Sequence, residues 1–378
     1  MKAKTRRILL LSLITLFLLI TPYLVLYSLG YRIDFKNIKI VATGGIYTRV
    51  QPSQVEVIIN GDISNSTGIF SNSVFVQNLL PGQHSVFIKK DGYYDYQKKL
   101  VVKEKEVTKL ENVILFNKNF GFEKIPGSTD QFLDLKAKPI ERYIIVSGSL
   151  YYFDNAPENA QLSIMQRNTP LIKNVVSFKV SNNSIYWLGK DGILNKSNLE
   201  GKDTEKISTK AIAIKSKTLY SIEVFSQDIF LKEGANLLRL NESSKSFESF
   251  YTSVKDLRLS PDGHKLVYYN DNEIFLYFMQ NLPIGEENNA LLEKSLDKIS
   301  EVYWLNNDYI IYNTTNNVVI SEIDYRGNIN KIFIEGNVLL ANGESQGIEK
   351  PEIFYDQRSK TFYILTNKTL ISSDKILP

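Results

Sequence analysis

The run from Ile8 to Leu29, ILLLSLITLFLLITPYLVLYSL, constrains this chain more than any other feature, because its 22 residues carry no charge. At about 1.5 Å per residue, a helix of that length spans roughly 33 Å and covers a hydrocarbon core of about 30 Å with slight tilt. Its polar members are Ser12, Thr15, Thr21, Tyr23, Tyr27 and Ser28, and a helix carries hydroxyls at modest cost by bonding them to its own carbonyls. Pro22 is expected to kink it. A buried core helix is the alternative, but such helices are usually shorter and rarely open a chain behind four cations.

Those cations, Lys2, Lys4, Arg6 and Arg7, stand without an acid among them, which predicts that residues 1–7 stay in the cytoplasm. Beyond the run, Arg32, Lys36 and Lys39 are offset only by Asp34. A cleaved signal peptide is the competing reading. Against it, the apolar run exceeds the usual length of about 7–15 residues, and Tyr27-Ser28-Leu29-Gly30 lacks a small-x-small cleavage pattern. The sequence therefore predicts an uncleaved, single-pass signal anchor at residues 8–29, a juxtamembrane connector at 30–43, and extracytoplasmic domains after it.

Of 45 basic and 41 acidic residues, seven and one fall in the first 43 positions, leaving 38 and 40 for the rest. The net positive charge belongs to the anchor, so a basic face for nucleic acid is not indicated. The chain has no cysteine, which excludes disulfides, thiolate metal sites and a cysteine nucleophile. With 43% hydrophobic residues, including 22 Tyr and 20 Phe, it can fill two cores.

Strand signals begin at Gly44-Gly45. Ile46 to Val50 is the first strand. Val55, Val57 and Ile59 share one face of the next, and Asn60-Gly61 predicts a two-residue hairpin turn. Ser64 to Ser73 reads as a loop, Leu79-Leu80-Pro81-Gly82 as a reversal, and His84 to Lys90 as a strand with Val86 and Ile88 on one side. Asp91-Gly92 turns the chain into Tyr96 to Val102, and Thr108 to Phe116 closes a small antiparallel β-sandwich of about 70 residues. Three stretches, Arg49 to Gly61, Leu79 to Val86 and Lys90-Asp91-Gly92-Tyr93, resemble the PEGA domain, in which a strand ending in Asn-Gly precedes a Pro-Gly-x-His turn and a Gly-Tyr turn. The likeness covers residues 44–116. The namesake Pro-Glu-Gly-Ala is absent, and Asn65-Ser66-Thr67-Gly68 stands where the family has a Gly-rich threonine turn. The resemblance implies a cell-envelope module without catalytic activity.

After a linker at 117–128 with Pro126-Gly127, strand pairs recur near Tyr143, Ser184, Thr218, Lys265, Tyr309 and Thr361, about 35 to 50 residues apart. That period predicts a β-propeller over 129–378, with six blades and seven as the alternative count. Ser260-Pro261-Asp262-Gly263-His264-Lys265-Leu266 resembles the repeat of TolB-like and WD40-like propellers. Here Pro261 fixes φ, Asp262 bonds its own backbone and Gly263 takes positive φ. Asn182-Asn183 and Asn306-Asn307-Asp308 keep the turn chemistry with Asn. The fold class expected is all-β behind a transmembrane helix.

Candidate chemistry is sparse. The chain's two histidines, His84 and His264, fall in different predicted domains, so a His-based triad or metal cluster is not expected. No nucleophile elbow, P-loop or zincin motif occurs. Asp271 and Glu273, beside Asn270 and Asn272, read as a blade turn rather than a calcium site. Six Asn-x-Ser/Thr triplets, at Asn65, Asn182, Asn195, Asn241, Asn313 and Asn367, are expected by chance in a chain rich in these residues. Trp187 and Trp304 read as core. The ligand candidate is Tyr93-Tyr94-Asp95-Tyr96, aromatics beside a carboxylate that could stack a sugar or wall polymer; the alternative makes Tyr93 a core tyrosine and Tyr96 a strand residue. The sequence thus predicts a non-enzymatic binding or scaffold protein of the envelope, without cofactor or metal. Its partners would be the bilayer, through Ile8 to Leu29, and an envelope protein or wall polysaccharide. A propeller-type hydrolase is the weakest reading, because such enzymes add a catalytic domain and this chain ends at Pro378 after the last blade.

Overall fold

The computed structural model describes residues 3–35, 37–126, 129–136, 142–153, 169–225, 228–279, 288–334 and 336–377. Lys2, Lys36, Gly127, Ser128 and Pro378, which figure in the sequence reading, lie outside the described residues. Among those described, one helix, Ala3–Ser28, is long and apolar enough to cross a membrane, and none of its apolar window is buried against the rest of the chain. It is therefore not a core helix. Ser12, Thr15 and Ser28 donate to carbonyls three or four residues back, at 2.8, 2.9 and 2.8 Å, so these hydroxyls are satisfied within the helix. The helix continues through Pro22. The segment expected to be a plain connector is a β-ribbon, with Tyr31–Asp34 antiparallel to Lys39–Ala42.

Two sheets follow. One orders Ser73–Leu79, Gly44–Gln51 and Val107–Ile114; the other orders Ile63–Ser66, Glu56–Ile59, Gly82–Lys89 and Tyr96–Val102. Ile46 and Val50 from the first meet Val57, Val86, Ile88 and Leu100 from the second in one buried cluster. The expectation of a purely antiparallel sandwich is corrected at one pairing, since Gly44–Gln51 runs parallel to Val107–Ile114. Parallel neighbours need a long crossover, and here all the other strands of the sandwich lie between the two in sequence. The hairpin at Asn60-Gly61 is also wider than expected. Ile59 faces Ile63, so Asp62 joins the loop, while Asn60 and Gly61 take φ of 54° and 84°. Ser64 to Ser66, expected in a loop, belong to a strand.

The remainder is a succession of small antiparallel sheets. The fourth comprises Asp256–Leu259, Lys265–Tyr269, Glu273–Phe278 and Asn289–Lys294; the fifth comprises Val302–Trp304, Tyr309–Asn313, Val318–Glu322 and Lys331–Ile334. The last holds Glu352–Asp356, Thr361–Thr366 and Thr369–Ser373, and its outer strand is Phe122–Ile125 from the segment expected to be a linker. A helix not anticipated, Thr129–Lys136, seats its fully buried Phe132 on Leu365 and Leu370 of that sheet. Consecutive sheets share apolar clusters, for example Leu276 with Trp304 and Tyr312, and Ile311 and Ile320 with Ile353 and Phe362.

The turns follow the expected chemistry. Asp262 accepts from Ser260 Oγ at 2.5 Å, His264 N at 3.0 Å and Lys265 Nζ at 2.9 Å, and Gly263 has φ of 75°. Burial pulls the Asp262 carboxyl up, but these donors outweigh it and leave its pKa at about 2. Asn182 and Asn183 both take positive φ between the paired Ser181 and Ser184, a two-residue hairpin of the primed kind. Asp271 is held by Lys255 and Lys298 at 3.2 and 3.1 Å, and Asn270 donates to Glu273 at 3.2 Å.

Candidate binding site at the domain junction

Tyr96–Val102 alternates strictly, so Tyr96, Lys98, Leu100 and Val102 share its buried face and place a lysine where an apolar residue is the rule. Lys98 is fully buried because the fifth sheet covers it. Its Nζ donates to Glu322 Oε1 at 2.7 Å, to the Asn328 carbonyl at 2.8 Å and to the Asp324 carbonyl. Glu322 also accepts from Tyr96 Oη at 2.8 Å and from the backbone and side-chain nitrogens of Asn330, each at 2.8 Å. A buried charge is tolerable only when paired and hydrogen-bonded, and both charges here meet that condition.

Tyr96–Val102 is also an edge strand whose outer backbone groups have no strand to pair with. Two asparagines from the loop after Glu322 take that place. Asn330 Oδ1 accepts from Gln97 N at 3.0 Å, Asn328 Oδ1 accepts from Lys99 N at 2.9 Å, and Asn328 Nδ2 donates to Gln97 O at 2.6 Å. Arg326 chelates Asp324 at 2.9 and 2.7 Å and donates to the Lys109 carbonyl at 3.0 Å. Burial raises the Asp324 carboxyl, and Arg326 with Lys98 outweighs it, so its pKa lies below the usual carboxylate range. Tyr309 Oη accepts from Ile114 N at 3.0 Å, and its ring meets Phe116 edge-on at 5.2 Å. Burial first, and the nearby Glu322 second, push the Tyr96 and Tyr309 hydroxyls well above their ordinary range, so both stay protonated, and Tyr96 donates to Glu322.

Beside this contact lies a cleft of about 390 Å³ whose charged lining includes Lys109, Glu111, Lys265, Asp308 and Arg326. Its volume is of ligand scale. Among its lining carboxylates, Asp308 is the one whose pKa is raised. Burial raises its pKa above the ordinary 3.8, against the opposing pull of Lys265 and a hydrogen bond from Asn112. A carboxyl whose folded pKa is raised binds its proton more tightly in the folded state, so its ionisation removes stability as pH rises from about 3.8 through the folded value. Asp308→Asn is therefore expected to raise the melting temperature at neutral pH and to give no gain below pH 3.8. Equal gains at both pH values would contradict the burial argument.

The four residues singled out as a ligand platform are dispersed. Tyr93 packs on the sandwich core with Lys90 Nζ 5.6 Å from its ring centre. Tyr94 stacks on Phe120, centroids 6.4 Å apart, and lines an apolar cleft of about 560 Å³ with Phe333 and Leu339. Asp95 is exposed, and Tyr96 is buried in the junction. Period two placed Lys98 on the core face and could have marked it, but nothing local marks Glu322 as its partner. His84 is committed to the fold: its ring nitrogens meet Asn60 Nδ2 at 2.8 Å and the Leu80 carbonyl at 2.7 Å. Trp304 is buried and donates to the Arg258 carbonyl at 2.9 Å. Asn195 and Asn313, two of the six triplet asparagines, are buried. Among the described residues, no group of three or more His, Asp or Glu is placed to hold a metal ion.

No protein-family model matches the chain. No curated protein matches it either. Among solved structures it is similar to the extracellular domain of a hybrid two-component system from B. thetaiotaomicron, at 12% identity and a TM-score of 0.37. That match covers 86% of this chain and 39% of the other, a likeness too low to carry an argument about fold or function.

Proposed function

We propose that the chain is a membrane-anchored, extracytoplasmic, non-enzymatic scaffold of the cell envelope, which holds a PEGA-like sandwich and a six-bladed propeller as one packed unit at the end of its helix. The single observation that carries this reading is the buried Lys98–Glu322 pair at 2.7 Å, whose loss would leave the Glu322 carboxylate buried in the junction without its ion pair. Such a joint suits presentation of a surface to a partner. The propeller is supported by the order of the sheets: each uses strands consecutive in the chain, neighbours share apolar clusters, and Phe122–Ile125 joins the last sheet through Thr369–Ser373. A strand from the start of a ring completing its final blade is how such a ring closes without free edges. The outside location is supported by the basic flank before the span. A second reading, binding of wall polysaccharide, is favoured by one feature, the Tyr94–Phe120 stack in its open apolar cleft.

One experiment tests the proposal. A reporter active only outside the cytoplasm, fused after Pro378, is expected to work, and the same tagged protein is expected to retain a stoichiometric envelope protein after gentle detergent extraction. Activity of a cytoplasmic reporter would reverse the topology. Retention of purified wall polymer, lost on Tyr94→Ala, would transfer the function to the second reading. Turnover of peptide, ester or glycan substrates by the purified protein would overturn the non-enzymatic one.

A further inference from the structure

The ribbon after the helix leaves its largest apolar side chains uncovered. Ile33 and Ile40 are cross-strand partners, 40% and 58% exposed, and Phe35 and Ile38 in the connecting loop are 85% and 88% exposed. Ile38 has φ of 50°. A β-branched residue is rarely found in the left-handed region, where Gly or Asn is the ordinary occupant, so an isoleucine on an exposed loop there costs backbone strain without any packing return from the protein.

The ribbon also folds back toward the span. A cleft of about 150 Å³ is walled by Tyr23, Leu26 and Tyr27 of the helix and by Ile33, Phe35 and Ile40 of the ribbon. Tyr23 lies about 7 Å along the axis from Ser28 at 1.5 Å per residue, so ribbon residues sharing its cleft sit at the depth of the last helical turns. Arg32 marks the outer level. Its guanidinium lies 3.5 Å over the Tyr27 ring and donates to the Tyr27 and Tyr31 carbonyls at 2.8 Å each. Tyrosines and cations at this height are what a water–lipid boundary selects.

We infer that the ribbon 31–42 is a second membrane-contacting element. Ile33, Phe35, Ile38 and Ile40 enter the headgroup–acyl boundary of the leaflet from which the helix emerges, and Arg32 faces the lipid phosphates. Continuity with the span identifies the occupant as lipid, and the inference rests on the reading of 8–29 as membrane-spanning. Shallow insertion of this kind reaches about 5–10 Å below the surface and fixes the height of the sandwich above the membrane.

The absence of cysteine makes the test site-specific. The full chain carrying Ile38→Cys, Phe35→Cys, Leu16→Cys or Leu296→Cys is labelled with a polarity-sensitive fluorophore. Each variant is then reconstituted in vesicles of phosphatidylcholine and phosphatidylglycerol containing either a shallow or a deep nitroxide lipid. Leu296, wholly exposed in the sheet array, supplies the aqueous reference. The labels at 38 and 35 are expected to emit blue-shifted and to be quenched several-fold more strongly than the label at 296, with the label at 16 blue-shifted but quenched better by a deep nitroxide. A water-like label at both 38 and 35, with 16 deep, would overturn the inference and leave the span intact. Water-like signals at 16 as well would overturn both.

Discussion

Lys98→Met in the intact, detergent-solubilised chain is expected to lower the free energy of unfolding by about 3–5 kcal/mol, because it strands Glu322 in a site that excludes water. Glu322 retains its bonds from Tyr96 and Asn330 in that variant, but loses the cation bonded to it. The double variant Lys98→Met with Glu322→Met is expected to be less destabilised than either single change, since two apolar side chains leave no orphaned charge. Urea titration followed by tryptophan emission is a suitable readout. Both tryptophans, Trp187 and Trp304, lie in the sheet array, so a transition shared with far-ultraviolet dichroism reports whether array and sandwich unfold together. A loss below about 1 kcal/mol for Lys98→Met would match an exposed pair and refute a closed junction.

Gly327→Ala should unseat the loop that caps the sandwich edge. Gly327 has φ of 67°, and a Cβ there would fall on the Lys99 carbonyl oxygen, which belongs to backbone and cannot rotate away. Gly336 is the matched control, with the same φ of 67° and nothing within 4 Å of an added Cβ. Gly336→Ala thus measures the left-handed penalty alone, about 1–2 kcal/mol, and Gly327→Ala measures that penalty plus the clash. The Gln97 and Lys99 amides, bonded to Asn330 and Asn328, should then exchange with deuterium roughly ten- to a hundredfold faster in Gly327→Ala, each factor of ten being about 1.4 kcal/mol. They should keep their protection in Gly336→Ala. Unchanged exchange in Gly327→Ala would mean that the loop does not grip the strand.

Much of the fold was legible because its signals are local. An uncharged run needs only its length to specify a helix able to span a bilayer, and the structure leaves it exposed. Alternation from Tyr96 to Val102 gives a strand with one buried face, and Asn182-Asn183 supplies a turn whose two positive φ values few other residues tolerate. Five of the six strand centres, Tyr143, Ser184, Lys265, Tyr309 and Thr361, fall in observed strands, each fixed by β-branched and aromatic residues between turn formers, while the strand expected at Thr218 begins at Tyr220.

What failed or stayed hidden depends on pairing at a distance. Phe122–Ile125 reads as part of a linker because an isolated four-residue segment carries no sign of a partner in Thr369–Ser373. The parallel pairing of Gly44–Gln51 with Val107–Ile114 has the same cause, since strand sequence encodes which face is buried but not the direction of its neighbour. Tyr93 to Tyr96 looked like a cluster because the residues are adjacent, whereas alternation and the turn at Gly92 send their side chains to separate places. By itself the sequence determined a helix long and apolar enough to cross a membrane and most of the strands and turns, because covalent spacing and local sterics decide those. Only the tertiary structure decided that Lys98 meets Glu322 and that Asn328 and Asn330 cap an edge. Those contacts join residues more than 200 positions apart, and no local pattern records the desolvation and pairing that hold them.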